Sequence, residues 1–388
     1  MKVLVLPSHF PTDEFPTRYI FVKEQVESIC DSEISQDVFY LENRSILSKT
    51  RKKNKFEHIH FFKNNNVNII FKRNTNIIPS RFFIGAIIWS FISFLHLRKY
   101  VKNHGLPDII HVHSLENAGI LALILNKIYK IPYIITEHSP FRGNKKLSKT
   151  KKLIYRKILK DSSSILPVSK YLKNYIMNSL DYRNENFEII PNLVDTDFFE
   201  SNETISNFQE IRFVAICNLN DDKRVDRLIN AFNLSLKKNP NLHLDIGGAG
   251  VRMEELKSLV SQLNINKQVT FHGLVQKNKI KELLTQSHCL LLSSDSETFG
   301  IVLIESMSMG IPVISTKSGG PIEIVNSSNG ILSDRTVEDF SMSINQFIDN
   351  INKYDSSLIR NFVLNNYSKA VVSKKIINVY KQAMSLKK

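Results

Sequence analysis

SDSETFGIVLIESMSMGIPVISTKSGGPIE (294–323) carries one complete strand–helix–strand step. The apolar run HCLLLSS (288–294) leads in as a strand. A turn holds Glu297, Gly300 opens a helical segment over 300–309 that contains Glu305, and PVIST (312–316) is the next strand. Two short apolar runs joined by a helix make a parallel crossover. The helix start exposes backbone N–H groups, which favour a phosphate. Glu305 lies five residues in, roughly 7 Å along the axis at about 1.5 Å per residue. A nucleotide diphosphate at the helix start brings its ribose hydroxyls to that depth, and a carboxylate accepts both hydroxyl hydrogens. Glu297, ahead of the helix, falls beside the sugar. Two glutamates alone would read as surface residues around an ordinary turn. The flanking strand, Gly300 and the second turn at Gly319–Gly320 favour the binding reading.

The same alternation extends in both directions. After it come helices at 337–350, 355–365 and 368–385. Before it, IRFVAIC (211–217), LHLDIGG (242–248) and VTFHG (269–273) are strands, with helices at 224–238, 252–263 and 277–286. The first half repeats the plan. VLVLP (3–7), VFYL (38–41), IHFF (59–62), VNIIF (67–71), DIIHVH (108–113), PYIITEH (132–138) and SILPVS (164–169) read as strands. Helices fit 19–31, 80–103, 117–129, 147–161 and 170–180, and EIIPN (188–192) closes the half. Strands alternating with helices predict parallel, doubly wound sheets with ligands at their carboxyl ends. The expected fold class is α/β: two doubly wound Rossmann-like domains facing each other across a cleft.

The 388 residues suit two domains, and 42% hydrophobic with 23% charged is ordinary globular composition. Cys30, Cys217 and Cys289 show no metal-ligand spacing and read as reduced thiols. Five apolar residues before Pro7 are too few for a signal-peptide core, so a cytoplasmic location is expected. Residues 1–190 carry 30 Lys and Arg against 16 Asp and Glu, whereas residues 191–388 carry 22 against 21. Such one-sided charge implies an anionic partner. Nucleic acid is set aside, because no helix-turn-helix, zinc or aromatic RNA-binding signature is present.

Glu297 and Glu305, with S-x-x-E-T-F-G before and S-G-G-P-I-E after, resemble the E-x7-E signature of retaining glycosyltransferase family 4. FPTRYIFVKEQVESI (15–29), PDIIHVHSLENAGILA (107–122), IPYIITEHSP (131–140), IIPNLVDTDFF (189–199) and DIGGAGVRMEELKSLV (245–260) resemble further family segments in the family's order. The resemblance implies the GT-B fold. Residues 1–190 would form an acceptor-binding domain and 191–367 a donor-binding domain, with 368–388 a helix returning to the first. It implies retaining transfer from a nucleotide diphosphate-sugar, a UDP- or GDP-sugar, with no cofactor and no metal required. The family favours a front-face route, in which the departing phosphate helps to deprotonate the acceptor.

The resemblance implies donor-sugar contact for Glu297, ribose contact for Glu305, and donor contacts by the backbone of Thr298, Phe299 and Gly300. Lys223, in CNLNDDKRVDR, matches the diphosphate lysine, and His138, in TEHSP, matches the histidine that reaches the sugar. Gly248 and Gly250, in GGAG, match a backbone role near the nucleotide. The chain also departs from the family. Asn218 stands where the family has a phosphate-binding arginine, and Arg224 is the candidate to make up that charge. Leu193 and Tyr19 replace frequent glycines, so Tyr19 is expected to alter a loop that contacts donor or acceptor, and Tyr19 and His113 are the acceptor-side candidates. For His111 and His113 themselves, packing or strand-end hydrogen bonding is the commoner role.

RGNKKLSKTKKLIYRKILK (142–160) has nine basic residues and no acidic one. FFIGAIIWSFISFLHL (82–97) is an apolar run short of the ~20 residues that span a bilayer. It fits a core helix or a helix lying in a bilayer surface. Together they suggest peripheral attachment to the inner face of an anionic membrane and a lipid-linked glycan acceptor in surface-polysaccharide assembly. The rival reading is a non-catalytic glycan- or membrane-binding subunit with a degenerate site. An epimerase on the same fold is disfavoured by the E-x7-E segment.

Overall fold

The computed structural model describes residues 1–12, 19–29, 33–45, 60–64, 67–76, 83–141, 147–184, 186–201 and 210–385. The RGNKK residues 142–146, Cys30 and the polar stretch 202–209 lie outside them. The chain divides into two units, residues 1–191 with 372–388, and residues 192–371.

The first unit contains β1 (Lys2–Pro7), α1 (Ile20–Ser28), β2 (Ser35–Ser45), β3 (His60–Asn64), β4 (Val67–Asn76), α2 (Phe83–His104), β5 (Ile109–His113), α3 (Asn117–Tyr129), β6 (Tyr133–Glu137), α4 (Lys149–Asp161), β7 (Ser164–Pro167) and α5 (Lys170–Leu180). Its sheet order is β3-β4-β2-β1-β5-β6-β7. The central strands β1, β5 and β6 are buried along nearly their whole length, as parallel strands covered on both faces must be. The edge pair departs from the expected parallel plan: β3 runs antiparallel to β4. Only residues 65 and 66 separate them, which is too short for a crossover helix. EIIPN (188–192) forms no strand. Ile190 N–H bonds the Pro167 carbonyl at 3.2 Å, and the rest runs on as irregular chain.

Helix α2 has two faces. Trp89, Ser90, Ser93, Leu97 and Tyr100 are buried, and Trp89 Nε1 donates to the Leu41 carbonyl at 2.9 Å. Ile84, Ile87, Phe91 and Leu95, at helical spacing, are exposed. The 82–97 run is therefore a core helix along one side only. Among the described residues, no helix is long and apolar enough to cross a membrane.

The second unit contains β8 (Ile211–Ile216), α6 (Val225–Leu236), β9 (Leu242–Gly247), α7 (Met253–Gln262), β10 (Val269–Gly273), α8 (Lys277–Thr285), β11 (Cys289–Leu292), α9 (Ile301–Ser308), β12 (Val313–Thr316), α10 (Pro321–Ile324), β13 (Gly330–Ser333), α11 (Val337–Asp349) and α12 (Ser356–Tyr367). The last helix, α13 (Lys369–Ser385), starts in this unit and is counted with the first from Val372 onward. The sheet is all parallel, in the order β10-β9-β8-β11-β12-β13. Phe213, Phe232, Phe340 and Phe347 fill the centre of its core. Strand β13 and helix α10 have no counterpart in the sequence reading, because four-residue elements leave too little periodicity to register. In both sheets the chain starts centrally and later crosses to the other side. The order reverses between β1 and β5 and between β8 and β11, and ligands of open α/β sheets bind at the strand ends beside such a point.

Candidate functional site

In the second unit, the loops leaving β8 and β11 meet at the reversal point. The β8 loop ends in a 3-10 turn, Asp221–Lys223, capped by Asn220, whose side-chain oxygen accepts the Lys223 N–H at 3.2 Å. The β11 loop carries Glu297 into Gly300, which takes the left-handed φ of 94° and opens α9. Lys223 Nζ and Glu297 Oε2 lie 2.5 Å apart, both half-buried. Burial works against the Lys223 charge, but the Glu297 carboxylate overrides it and holds the ammonium above its usual range. Glu305 is half-buried on α9, among neighbours that are otherwise mostly buried.

The turn before α9 is pinned from the opposite side. Glu297 N–H donates to the Ser318 carbonyl at 2.7 Å, and Gly320 N–H donates to the Glu297 carbonyl at 2.8 Å. A Cβ on Gly320 would stand 2.4 Å from the Thr298 carbonyl oxygen and 2.5 Å from Phe299 Cα, so only glycine allows this approach. Phe299 is buried against Tyr367, while Thr298 is half-buried. The GGAG glycines serve the neighbouring loop. A Cβ on Gly248 would lie 1.8 Å from the Cys217 oxygen, and one on Gly250 would lie 2.1 Å from the Leu219 oxygen. Their first role is to let two backbones touch. Asn218 is exposed between those contacts. Burial pushes the Cys217 thiol up to about 11, which leaves it unreactive.

Arg224 has partners that its place in the sequence does not announce. Its guanidinium bonds Asp226, with Nη2 at 2.9 Å, and Asp295, with Nη1 at 3.1 Å. Arg227, buried on α6, bonds the same Asp295 carboxylate and donates to the Ser293 carbonyl at 2.9 Å. Glu323 is exposed on α10. Among the described residues, no group of three or more His, Cys, Asp or Glu is placed to hold a metal ion.

In the first unit, the loops leaving β1 and β5 meet in the same way, with Ser8 Oγ donating to the Ser114 carbonyl at 2.8 Å. Three histidines cluster on β5 and just after β6. His113 and His138 are parallel, 5.3 Å between ring centres, with His113 Nδ1 and His138 Nε2 sharing one proton over 3.0 Å. His111 is satisfied on both nitrogens, 2.7 Å from the Tyr380 hydroxyl on α13 and 2.7 Å from the Thr136 hydroxyl. Burial, then the neighbouring His138, pushes His111 down to about 3, and burial likewise holds His113 well below the usual range. Both are neutral hydrogen-bonding groups. Phe21 packs on His138 at 4.7 Å.

Glu137 is buried, and burial raises its carboxyl to about 7, against the N–H groups of Leu115 and His138 that it accepts at 2.8 and 3.2 Å. It borders a small hollow lined by His9, Tyr19, Ser114, Glu116 and Ser139. Tyr19, at φ 55°, stacks on His9 at 4.6 Å.

The anticipated residues thus fall into two groups. Lys223, Glu297, Thr298, Phe299, Gly300, Glu305 and the GGAG glycines gather in the second unit. Tyr19, His113 and His138 gather in the first. The sequence reading missed Asp295, Arg227, Thr136, Tyr380 and Glu137. Glu137 alone had a signal, since an acid ending an apolar strand is buried with it.

Residues 55–198 match the family model described as Glycosyltransferase Family 4, and residues 198–361 match Glycosyl transferases group 1. The chain is 26% identical over 301 residues to an uncharacterized glycosyltransferase, MJ1607, of Methanocaldococcus jannaschii, covering 72% of this chain and 76% of that one. It is 24% identical over 243 residues to the phosphatidylinositol N-acetylglucosaminyltransferase gpi3 subunit of Schizosaccharomyces pombe, covering 61% of this chain and 52% of that one. The match therefore spans about half that relative's length. Among solved structures, Anabaena Alr3699/HepE in complex with UDP superposes with a TM-score of 0.75 at 16% identity, over 98% of this chain and 100% of that one. At such identity the likeness is one of fold, the two-domain α/β fold of these transferases.

Proposed function

The chain belongs to the family 4 glycosyltransferases, described also as glycosyl transferases group 1, and from that premise we propose that it moves a sugar from a nucleotide diphosphate-sugar to a hydroxyl of a glycan or lipid-linked glycan, with retention at the anomeric carbon. The observation that carries this is the Lys223–Glu297 pair beside the start of α9. In the free protein each charge satisfies the other. A donor diphosphate takes over the ammonium and the helix-end N–H groups, which frees the Glu297 carboxylate to accept sugar hydroxyls. Glu305 takes the ribose, and Asn218, Gly248, Gly250, Thr298 and Phe299 border the nucleotide. The leaving diphosphate is stabilised by Lys223 and backbone dipoles, so a metal is not required. UDP is the favoured base carrier, since a fold neighbour is known in complex with it. His138 keeps the role its motif match implies, contact with a sugar, and the hollow beside Tyr19 and Glu137 is proposed for the acceptor.

The acceptor is proposed to be carried on lipid, as the name of the Schizosaccharomyces pombe relative suggests for that protein. Helices α2, α3 and α4 pack in sequence. They present Ile84, Ile87, Phe91 and Leu95, then Ile128 and Leu153, all exposed, among the exposed cations Arg98, Lys99, Lys102, Lys127, Lys130 and Lys149. Apolar side chains interspersed with cations fit an anionic membrane face, with the protein attached peripherally on the cytoplasmic side and serving surface-polysaccharide assembly. Phe91→Asp should reduce co-sedimentation with phosphatidylglycerol-containing vesicles and leave UDP binding intact. Equal sedimentation of both forms would refute the membrane face.

Sugar transfer itself is tested by incubating the protein with UDP-glucose, UDP-galactose, UDP-N-acetylglucosamine and GDP-mannose and following nucleotide release. Release from one donor, with the α-anomer of the sugar formed first by proton NMR, is expected. Binding without release from any donor, with lipid-linked glycan present, would favour the non-catalytic reading.

A further inference from the structure

We propose that Asp295, held by Arg224 and Arg227, is a positioning residue that registers the Lys223 turn against the Glu297 turn, and that Arg224 serves this clamp rather than binding phosphate. The consequence for donor binding rests on the reading of Lys223 as the diphosphate ligand. The clamp itself rests on geometry alone.

Lys223 and Glu297 are 74 residues apart in sequence, and each sits on a short turn. Something must register the two turns, because a lysine on a loose loop loses its rotamer freedom only on binding. Asp295 supplies the link through its N–H and its carboxylate, and its carbonyl ties its own turn to Arg335. Its N–H donates to the Asp222 carbonyl at 2.8 Å, its carbonyl accepts Arg335 Nη1 at 3.0 Å, and its carboxylate accepts both Arg224 and Arg227. Ser293 Oγ lies 2.9 Å from the carbonyls of both Lys223 and Arg224. The two turns are thus bonded directly at residues one position before Lys223, one after it, and two before Glu297.

The backbone of Arg224 supports the same reading. Its φ is 47°, a left-handed conformation that costs an L-residue free energy and is easiest for glycine. The side chain held on this backbone is engaged by carboxylates. Nε and Nη2 face Asp226, and Nη1 faces Asp295. Arg224 and Arg227 meet Asp226 and Asp295, and Arg252 stands 3.8 Å from Asp226 as well, so the Arg224 charge is matched within the cluster. Lysine cannot replace Arg224 here, since its single ammonium cannot bridge two carboxylates in fixed fork geometry.

Asp295→Asn, Arg224→Lys and the double variant separate the alternatives. Without ligand, mass-spectrometric hydrogen exchange should show the Lys223 and Arg224 amides, bonded to Asn220 and Asp221, exchanging at least about tenfold faster in each variant, with the core strands unchanged. UDP affinity by calorimetry should fall about tenfold in each single variant and no further in the double, the mark of one shared interaction. Unchanged exchange at residues 222–224 would overturn the clamp, whether or not UDP binds. Tighter UDP binding by Asp295→Asn would also overturn it, because it would show Arg224 released to become a phosphate ligand. A lowered melting temperature with unchanged UDP affinity would reduce the cluster to a merely structural one. Failure of the wild type to bind any nucleoside diphosphate would strike the donor reading, and the exchange result would still decide the clamp.

Discussion

Replacing Glu297 by Gln should separate nucleotide binding from sugar transfer. In the free protein the Glu297 carboxylate occupies the Lys223 ammonium at 2.5 Å, with both side chains largely shielded from water. A nucleoside diphosphate must displace that carboxylate. A hydrogen bond to a charged group contributes about 1.5–3 kcal/mol net. Partial exposure of the pair lowers its cost to about 1–2 kcal/mol. Glu297→Gln removes the competitor and its negative charge, so UDP, which has no sugar to offer Glu297, should bind about 5- to 30-fold more tightly. Transfer from the UDP-sugar should fall, because the carboxylate that orients the sugar is gone. Lys223→Ala should weaken UDP by a similar factor and slow transfer as well. Calorimetric titration of both variants with UDP provides the comparison. If Glu297→Gln weakens UDP as much as Lys223→Ala does, Glu297 does not compete with the diphosphate and the exchange of partners is wrong.

Two further predictions concern packing and protonation. Gly320→Ala forces its Cβ into the backbone of Thr298 and Phe299, and should destabilise the second unit by about 1–3 kcal/mol in chemical denaturation. A variant as stable as the wild type would mean that the two turns can part freely. Glu137 stands at about 7 folded against 4.5 unfolded. The stability tied to its proton is therefore complete below pH 4.5 and is lost as pH rises through 7, a change of about 3 kcal/mol at about 1.4 kcal/mol per unit. The stability difference between Glu137→Gln and wild type should shift by that order between pH 4.5 and pH 8. His111, neutral and held near 3, works in the opposite direction between pH 3 and 6.5 and is common to both proteins. Parallel stability curves would contradict the Glu137 assignment.

Local patterns explain what could be read from the sequence. Unbroken apolar runs such as DIIHVH and HCLLLSS announced buried parallel strands, and Gly300 after the second of them announced the start of a helix. Partnerships across the fold left no such trace. Arg224 and Asp295 are 71 residues apart, and His111 and Tyr380 are 269 apart. Beside Lys223, Arg224 reads from the sequence as a candidate phosphate ligand, and its Asp295 partner lies too far along the chain to be seen there. The glycines of GGAG looked like ligand contacts, and the structure gives them a prior duty of letting backbones pass. Helix α2 was ambiguous for a different reason. An apolar run does not disclose which of its rows the core can cover, and here one row is covered and one is not.

The central claim is that the second unit binds a nucleotide diphosphate-sugar with Glu305 on the ribose. Thermal stabilisation by UDP, GDP, CMP and their sugar conjugates, measured on wild type and Glu305→Ala, tests it most directly. A clear shift with one nucleoside diphosphate and its sugar conjugate, lost in Glu305→Ala, is the predicted result. No shift with any of them, or a shift that survives Glu305→Ala unchanged, would contradict the claim.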